Sequence, residues 1–368
     1  MSQLLLSQGV GSSPRHLILD IHGDFFNPFV DSINISTGQV KNFQIEWKET
    51  DVFLGTIESS FDLTQVKAIV IRAMEYEVMT FQQSYAFRLK CKEFCEKHGI
   101  FYFVGNDIHL NALAAIIKTH TMVKEGEEVL IVMSKFMDLV FTVRLIREHD
   151  HYRYIGSRML FTPMQLQIIF CDCKPEKVII LHNTEASEET KNEINEFLKE
   201  YNPILLHQGF NDELEKEGLI EKVFHLTGER KSVYDVGVSC SQAWFDVRLD
   251  KKCLINVIPN EVLPFEKTIT INVDHAKTIG LFAKFEVIPY ERLEVVKLSD
   301  FKTKRVKITL KIDINLLYEF TVDPIGPIVQ PPSSFPKVRV VFYPKHFSVY
   351  LQYKNKESIL EDFDGKFF

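Results

Sequence analysis

Cys91, Cys95 and His98 recur at a spacing that places all three on one face of a helix. Two thiols with an imidazole can ligate zinc. No second ligand pair follows at zinc-finger spacing, so the favoured reading is a pair of thiols in a core. Cys171-Asp172-Cys173 offers redox chemistry but is not a C-x-x-C pair, which favours local packing. His149 and His151 lie in REHDHYRY, a charged stretch read as a hairpin loop before a metal site. KTKRVK (302–307) can touch phosphate, although one short basic run is more often a solvated strand end. None of these groups defines an active centre by itself.

The elements that would position them belong to a chain of 368 residues, 45% apolar and 25% charged, ordinary values for a globular protein. The net charge of −7, with acids and bases intermingled, argues against a nucleic-acid surface. Six cysteines are too few for a disulfide scaffold and fit a reducing compartment. The opening MSQLLLSQGVGSSPR has no basic n-region, and no apolar run approaches the roughly 20 residues of a membrane span. A cytoplasmic protein is expected, with no membrane partner and residues 1–15 a disordered lead.

HLILDI (16–21), KAIVIRAM (67–74), IFYFVG (100–105) and KVIILH (177–182) read as buried strands. SINIST and NFQIEW flank Thr37-Gly38-Gln39 as a hairpin, and VLIVM and LVFTV flank SKFMD as another. Residues 80–99 switch to helical period and stop at Gly99, and 111–120 form a second helix. Ser187 caps a third, whose buried face is Ile194, Phe197, Leu198 and Tyr201. Residues 211–226 form a fourth. After Tyr234 the texture is strands alone, many with period-2 alternation, which predicts a sandwich. No internal repeat is visible.

The order of these segments resembles the DnaK-type, seventy-kilodalton heat-shock chaperones. KAIVIRAMEY resembles a family strand reading roughly AVITVPAYF, and VGNDIHLNALAA resembles NEPTAAALA. VLIVMSKFMDLVFTV resembles VLIFDLGGGTFDVSI, and KVIILHNTE resembles DIVLVGGST. SVYDVGV resembles LLLDVTPLS, and VKITLKIDINLLYEFTV resembles IEVTFDIDANGILNVSAV. The resemblance runs from about residue 16 to 323 through the order of weak matches. It implies an actin-like ATPase domain followed by a β-sandwich that binds peptides.

Glycine-rich turns carry that family's ATP chemistry, because backbone N–H groups must approach phosphate closely. Here the first becomes Asp20-Ile21-His22-Gly23-Asp24, with an extra carboxylate toward the phosphates. The second becomes Met133, Ser134, Lys135, Phe136, Met137 and Asp138, with Met133 at the metal-associated aspartate. The third becomes His182-Asn183-Thr184-Glu185. The family's Asn-Glu pair becomes Asn106-Asp107. Asp20, Asp107 and Asp138 can form a rebuilt carboxylate cluster for a divalent ion, but divergence explains them as well. Little chain separates YIGSRM from KVIILH, where the family holds a subdomain against the adenosine, and the sandwich has no helical lid after it.

The fold expected is therefore α/β: a truncated actin-like (ribonuclease H-like) domain over 16–230, with one nucleotide-domain lobe lacking. A sandwich resembling a substrate-binding domain follows over 231–323, then a proline-rich connector and β-hairpin over 324–368. The function expected is non-catalytic, a protein-binding or scaffold subunit with no cofactor. Its partners would be a J-domain protein, another chaperone, a ribosome-associated complex, or unfolded peptide. A peptide-binding chaperone that retains ATP binding or hydrolysis, with Mg, is the alternative.

Overall fold

An apolar run without alternation must be covered on both faces. HLILDI meets that demand as β1 (Leu17–Asp24) at the centre of a five-stranded sheet in the computed structural model. The structure describes residues 15–364 apart from 25–26, 46–48, 73–79, 135–138, 162–165, 171–173, 209–212, 239–242, 260, 274, 286–288, 302, 327–336, 343–345 and 354–355. β2 (Asn27–Asn34) and β3 (Val40–Gln44) follow antiparallel on one side of β1. β4 (Val66–Ile71) and β5 (Phe101–Val104) follow parallel on the other. The β2–β3 turn closes on the Asn34 side chain, which accepts from Ser36 and Thr37 N–H, and Gly38 supplies the left-handed φ of +71°.

α1 (Thr50–Ser60) joins β3 to β4, α2 (Phe81–His98) joins β4 to β5, and α3 (Asp107–Lys118) follows β5. α2 starts at Thr80 in a reciprocal capping box with Gln83 and stops at Gly99, left-handed at φ +60°. Cys91 and Cys95 lie in the core between this helix and the sheet, and burial raises both thiols, Cys95 to about 12. His98 packs at a tilt against Phe94 and lies 3.3 Å from Glu58. The two cysteines build the core, with His98 at its edge.

A second sheet follows from β6 (Glu128–Ser134), β7 (Leu139–Arg147), β8 (Tyr152–Phe161), β9 (Lys177–Asn183) and β10 (Ile204–Gln208). Its order is β8-β7-β6-β9-β10, with β6, β7 and β8 antiparallel and β9 and β10 parallel to β6. This is the first sheet repeated strand for strand, and it corrects the expectation of no repeat. Topology recurs through which strands must be buried, not through residue identity. Between β8 and β9 the described residues form a single 3-10 turn, Leu166–Ile168, where the first sheet has α1. α4 (Glu188–Leu198) and α5 (Glu213–Leu226) complete this lobe. Two such sheets in tandem define the actin-like class within the α/β proteins.

β6 and β7 pair as the expected hairpin, from Glu128↔Ile146 to Ser134↔Val140, with β6 at the sheet centre. The expected buried face of α4 is half right. Ile194 and Leu198 are buried, but Phe197 and Tyr201 are 37% and 46% exposed and lean on Phe170. Helical periodicity marks an apolar stripe but not how much of it a neighbour covers.

The remaining strands form the sandwich. β11 (Ala243–Leu249), β12 (Lys252–Val257), β14 (Thr278–Phe285) and β15 (Glu291–Lys297) make one sheet. β13 (Phe265–Asn272), β16 (Arg305–Ile312) and β17 (Tyr318–Ile325) make the other. Val306, Ile308, Leu310 and Ile312 of β16 alternate inward to meet Phe245, Val247 and Leu281. β18 (Lys337–Phe342) and β19 (His346–Tyr353) form a hairpin to which β20 (Lys356–Asp364) adds a third strand.

The sandwich docks on α2. Phe81 joins the sandwich core, its ring 5.1 Å from Phe245 and 5.3 Å from Phe285, and Tyr85 meets Tyr318 at 4.7 Å. Arg88 donates to the Asn315 carbonyl at 3.0 Å, and the Asn315 side chain accepts from Val104 N–H at 2.7 Å. SVYDVGV, the entry to the sandwich, is held to α5 by Lys222, which donates to Asp235 and to the Val236 carbonyl at 2.7 Å each. Asn315→Ala strands the buried Val104 N–H, so urea denaturation should register a loss of about 1–3 kcal/mol. An unchanged midpoint would mean that water takes the place of the amide.

Candidate functional site

β1 and β4 run parallel with Asp20 opposite Val70 and Ile21 opposite Ile71, so the next residue, Arg72, comes to lie beside Asp20. Both are buried. Arg72 Nε donates to Asp20 Oδ1 at 2.9 Å and Nη2 to Oδ2 at 2.6 Å, a two-pronged pair in which the planar fork matches the carboxylate. Nη1 reaches Asp107 Oδ1 at 2.7 Å and Glu215 Oε2 at 3.4 Å. Asp107 opens α3 and Glu215 lies in the first turn of α5, positions where helix dipoles favour carboxylates. Four elements thus converge on one guanidinium. Burial works against its charge, but Asp20 and Asp107 outweigh burial and hold Arg72 well above the ordinary arginine range. Burial pushes the Asp20 carboxyl up, and Arg72 draws it back only in part.

Of the carboxylate cluster weighed from sequence, Asp20 and Asp107 face one cation, and that cation is Arg72. Asp138, with Lys135 and Phe136, lies outside the described residues. Among the described residues no group of three or more metal-ligating side chains is suitably placed for an ion. Neither Arg72 nor Glu215 was singled out from sequence. The available signal was a charge at the end of the apolar run KAIVI, since a buried strand end tolerates a cation only with a partner.

The other turn positions have structural roles. His22 Nε2 lies 3.4 Å from Asp31 Oδ2 without hydrogen-bond geometry, and its ring stacks on Phe29. Burial lowers the His22 pKa, but Asp31 and Asp20 together leave it raised. Gly23 is left-handed at φ +89°, and a Cβ there would meet the Phe29 ring at 3.0 Å. Asn106 caps α3, its Oδ1 accepting from Ile108 and His109 N–H at 2.8 and 3.2 Å. Met133 is a core residue of the second sheet. Asn183 turns the chain after β9 by accepting from Glu185 N–H at 2.8 Å.

His182 bridges Ser134 and Asn195, with Nδ1 3.1 Å from Ser134 Oγ and Nε2 3.0 Å from Asn195 Oδ1. Burial lowers its pKa against the pull of Asn195, which keeps the ring neutral. A neutral ring then donates from Nε2 and accepts the serine hydroxyl at Nδ1. Serine, base and orienting amide stand in the order of a hydrolytic relay. Ser134 and His182 are each only 1% exposed, so the chain of bonds is sealed from substrate and acts as a buried polar network. His149 and His151, the other histidine pair noted in the sequence, sit at the β7–β8 loop beside Glu125 and Asp150. Cys171 and Cys173 lie outside the described residues.

The repeated sheet order identifies the class as actin-like, and solved structures of that class resemble this chain. No protein-family model matches it, and no curated protein does. YeaZ from Pseudomonas aeruginosa is 13% identical, with a TM-score of 0.28 over 60% of this chain and 100% of its own. A Bacteroides thetaiotaomicron protein with actin-like ATPase fold and unknown function is 10% identical, with a TM-score of 0.32 over 56% and 96%. ROK hexokinase from Thermus thermophilus is 11% identical, with a TM-score of 0.32 over 55% and 96%. At these identities and scores the likeness says nothing of activity. No described helix is long and apolar enough to cross a membrane.

Two outcomes test this site. Arg72→Met leaves Asp20 buried beside a neutral side chain, and chemical denaturation should show a loss of about 3–5 kcal/mol. Arg72→Met combined with Asp20→Leu should recover much of it, whereas equal losses in both variants would make the pair unimportant. His109, against Tyr154 and a cavity of about 30 Å³, has its pKa lowered from 6.5 to about 3, first by burial and then by Lys222. The unfolded chain therefore binds the extra proton between those values, so this contribution to stability is lost as pH falls below 6.5. Between pH 7 and 5, His109→Gln should remove about 2 kcal/mol of the parent's acid-side decline in urea denaturation.

Proposed function

We propose that this chain is a non-catalytic, DnaK-like protein that works by holding a protein partner and not by turning over ATP. The observation that carries this reading is the Arg72 guanidinium, buried and ion-paired to Asp20 and Asp107. Under the resemblance, those two carboxylates belong to the nucleotide centre, where a metal ion and phosphates would need them. Their charges are already directed at an internal cation. An incoming metal would have to displace a buried, hydrogen-bonded arginine. Asn106 and Asn183 likewise use their side chains to close a helix start and a turn. Phosphoryl transfer needs a placed metal and an oriented nucleophile, and these residues are engaged elsewhere.

What the fold then offers is surface. Phe197 and Tyr201 present exposed aromatic rings, and Ile204 and Leu205 of the edge strand β10 are exposed as well. Exposed aromatics are enriched where proteins meet proteins. The partner we propose is a J-domain protein, another chaperone or a ribosome-associated complex. Isothermal titration of ATP with Mg²⁺ into the full chain should give no binding in the micromolar range. Micromolar binding would overturn the reading and restore a nucleotide-dependent chaperone.

A further inference from the structure

The two lobes share one order of elements, so the packing of the first shows what the second lacks. α2 lies between β4 and β5, and α4 lies between β9 and β10. Both helical segments end on a left-handed residue, Gly99 at φ +60° and Asn202 at φ +47°. In both, the next strand opens two residues later, at Phe101 and Ile204. Aligned on that shared stop, Cys91 and Cys95 correspond to Ile194 and Leu198, all four buried. Phe94 then corresponds to Phe197, Lys90 to Glu193 and Lys97 to Glu200.

What differs is the cover. α1 packs on α2, with Phe53 and Ile57 in the same core as Phe87 and Phe94. Its charges fit as well: Asp51 pairs with Lys90 at 2.6 Å, and Glu58 lies 3.3 Å from both Lys97 and His98. In the second lobe the described residues at that place form only the turn Leu166–Ile168. Leu166 and Ile169 join Ile194 and Leu198 in the core, but so short a turn leaves the outward side of α4 open. Phe94 is 9% exposed, whereas Phe197 is 37% exposed. Residues three and four apart share a helix face, so Glu193, Phe197 and Glu200 form one row, an aromatic ring with a carboxylate at either end. Neither Glu193 nor Glu200 makes an ion pair or hydrogen bond with a described residue. The lysine positions of α2 have thus become acidic where the covering helix is missing.

From this correspondence we infer that the outer face of α4 is a docking site for a basic amphipathic helix of a partner protein, laid along α4 as α1 lies along α2. Its apolar stripe covers Phe197 and Tyr201. Lysines or arginines seven residues apart, at the places that Asp51 and Glu58 hold in α1, meet Glu193 and Glu200. The α1 of a second copy does not fit, because Asp51 and Glu58 would face carboxylates and Phe53 and Ile57 are already buried in their own lobe. The inference rests on the reading of the chain as a partner-binding protein and gives that partner a chemistry.

Fluorescence polarisation with the full chain tests it, using a labelled Ala-based peptide of about 18 residues, long enough to be helical alone. The peptide carries two Lys seven residues apart, with Leu at the second, third and sixth positions after the first Lys. A twin has Glu in place of both Lys. The basic peptide should bind, weaken as salt is raised, and beat its acidic twin by about tenfold or more. Glu193→Lys with Glu200→Lys should lose the basic peptide and take up the acidic twin, a gain that an unfolded variant cannot show. Phe197→Ala with Tyr201→Ala should weaken the basic peptide by about tenfold. No binding of the basic peptide, equal binding of the twins, or an unchanged preference in the Lys variant overturns the inference. Such a failure leaves the non-catalytic reading standing, whereas micromolar ATP binding overturns that reading whatever the peptides do.

Discussion

A guanidinium cannot be buried without carboxylates to meet it, and Arg72 sets that condition at the heart of the α/β region. Its partners come from β1, from the start of α3 and from the first turn of α5. The first sheet, the helix after it and the last helix of the second lobe therefore answer to one charge. Removing either Arg72 or Asp20 leaves an uncompensated ion in a low-dielectric setting, the costly way to break a buried pair. On the proposed non-catalytic reading, the same pairing keeps the site chemically quiet. Carboxylates that hold an internal cation are poorly placed to hold an external one.

The two lobes and the sandwich are also joined by packing. α2 belongs to the first lobe, yet its first turn sits in the sandwich core through Phe81. Asn315, on the turn between β16 and β17, completes the hydrogen bonding of Tyr102 and Val104 in β5. Helix, sheet edge and sandwich turn thus share buried polar groups that none could satisfy alone. The outcome is a sandwich seated on the first lobe.

Much of this was legible from residues alone, for physical reasons. Continuous apolar runs became central strands because both faces of β1, β4, β6 and β9 are covered. Thr80 and Gly99 bounded α2 because capping is local chemistry. Other features were not legible. α1 lacks a side-chain cap and buries only Phe53 and Ile57, so TDVFLGTIESS carries no clear start signal. Phe197 and Tyr201 follow the helical stripe, yet Phe170 covers them only in part. Asn106-Asp107 resembled the chaperone family's Asn-Glu pair, and Asn106 proved to be a helix cap. The duplicated sheet left no trace in identity, since strand order depends on burial and connection and many sequences meet those terms.

The sequence by itself determined the local elements, the change from mixed α/β to all-β after Tyr234, and the absence of glycine from 133–138 and 182–185. Those follow from periodicity, capping and backbone freedom, which act within a few residues. Only the tertiary structure decided that Arg72 meets Asp20 across 52 residues and Glu215 across 143. That meeting depends on the parallel register of β1 with β4 and on α5 returning to the first lobe. Neither is written in any short stretch. A buried charge finds its partners through the whole fold, so the character of the site is a tertiary property.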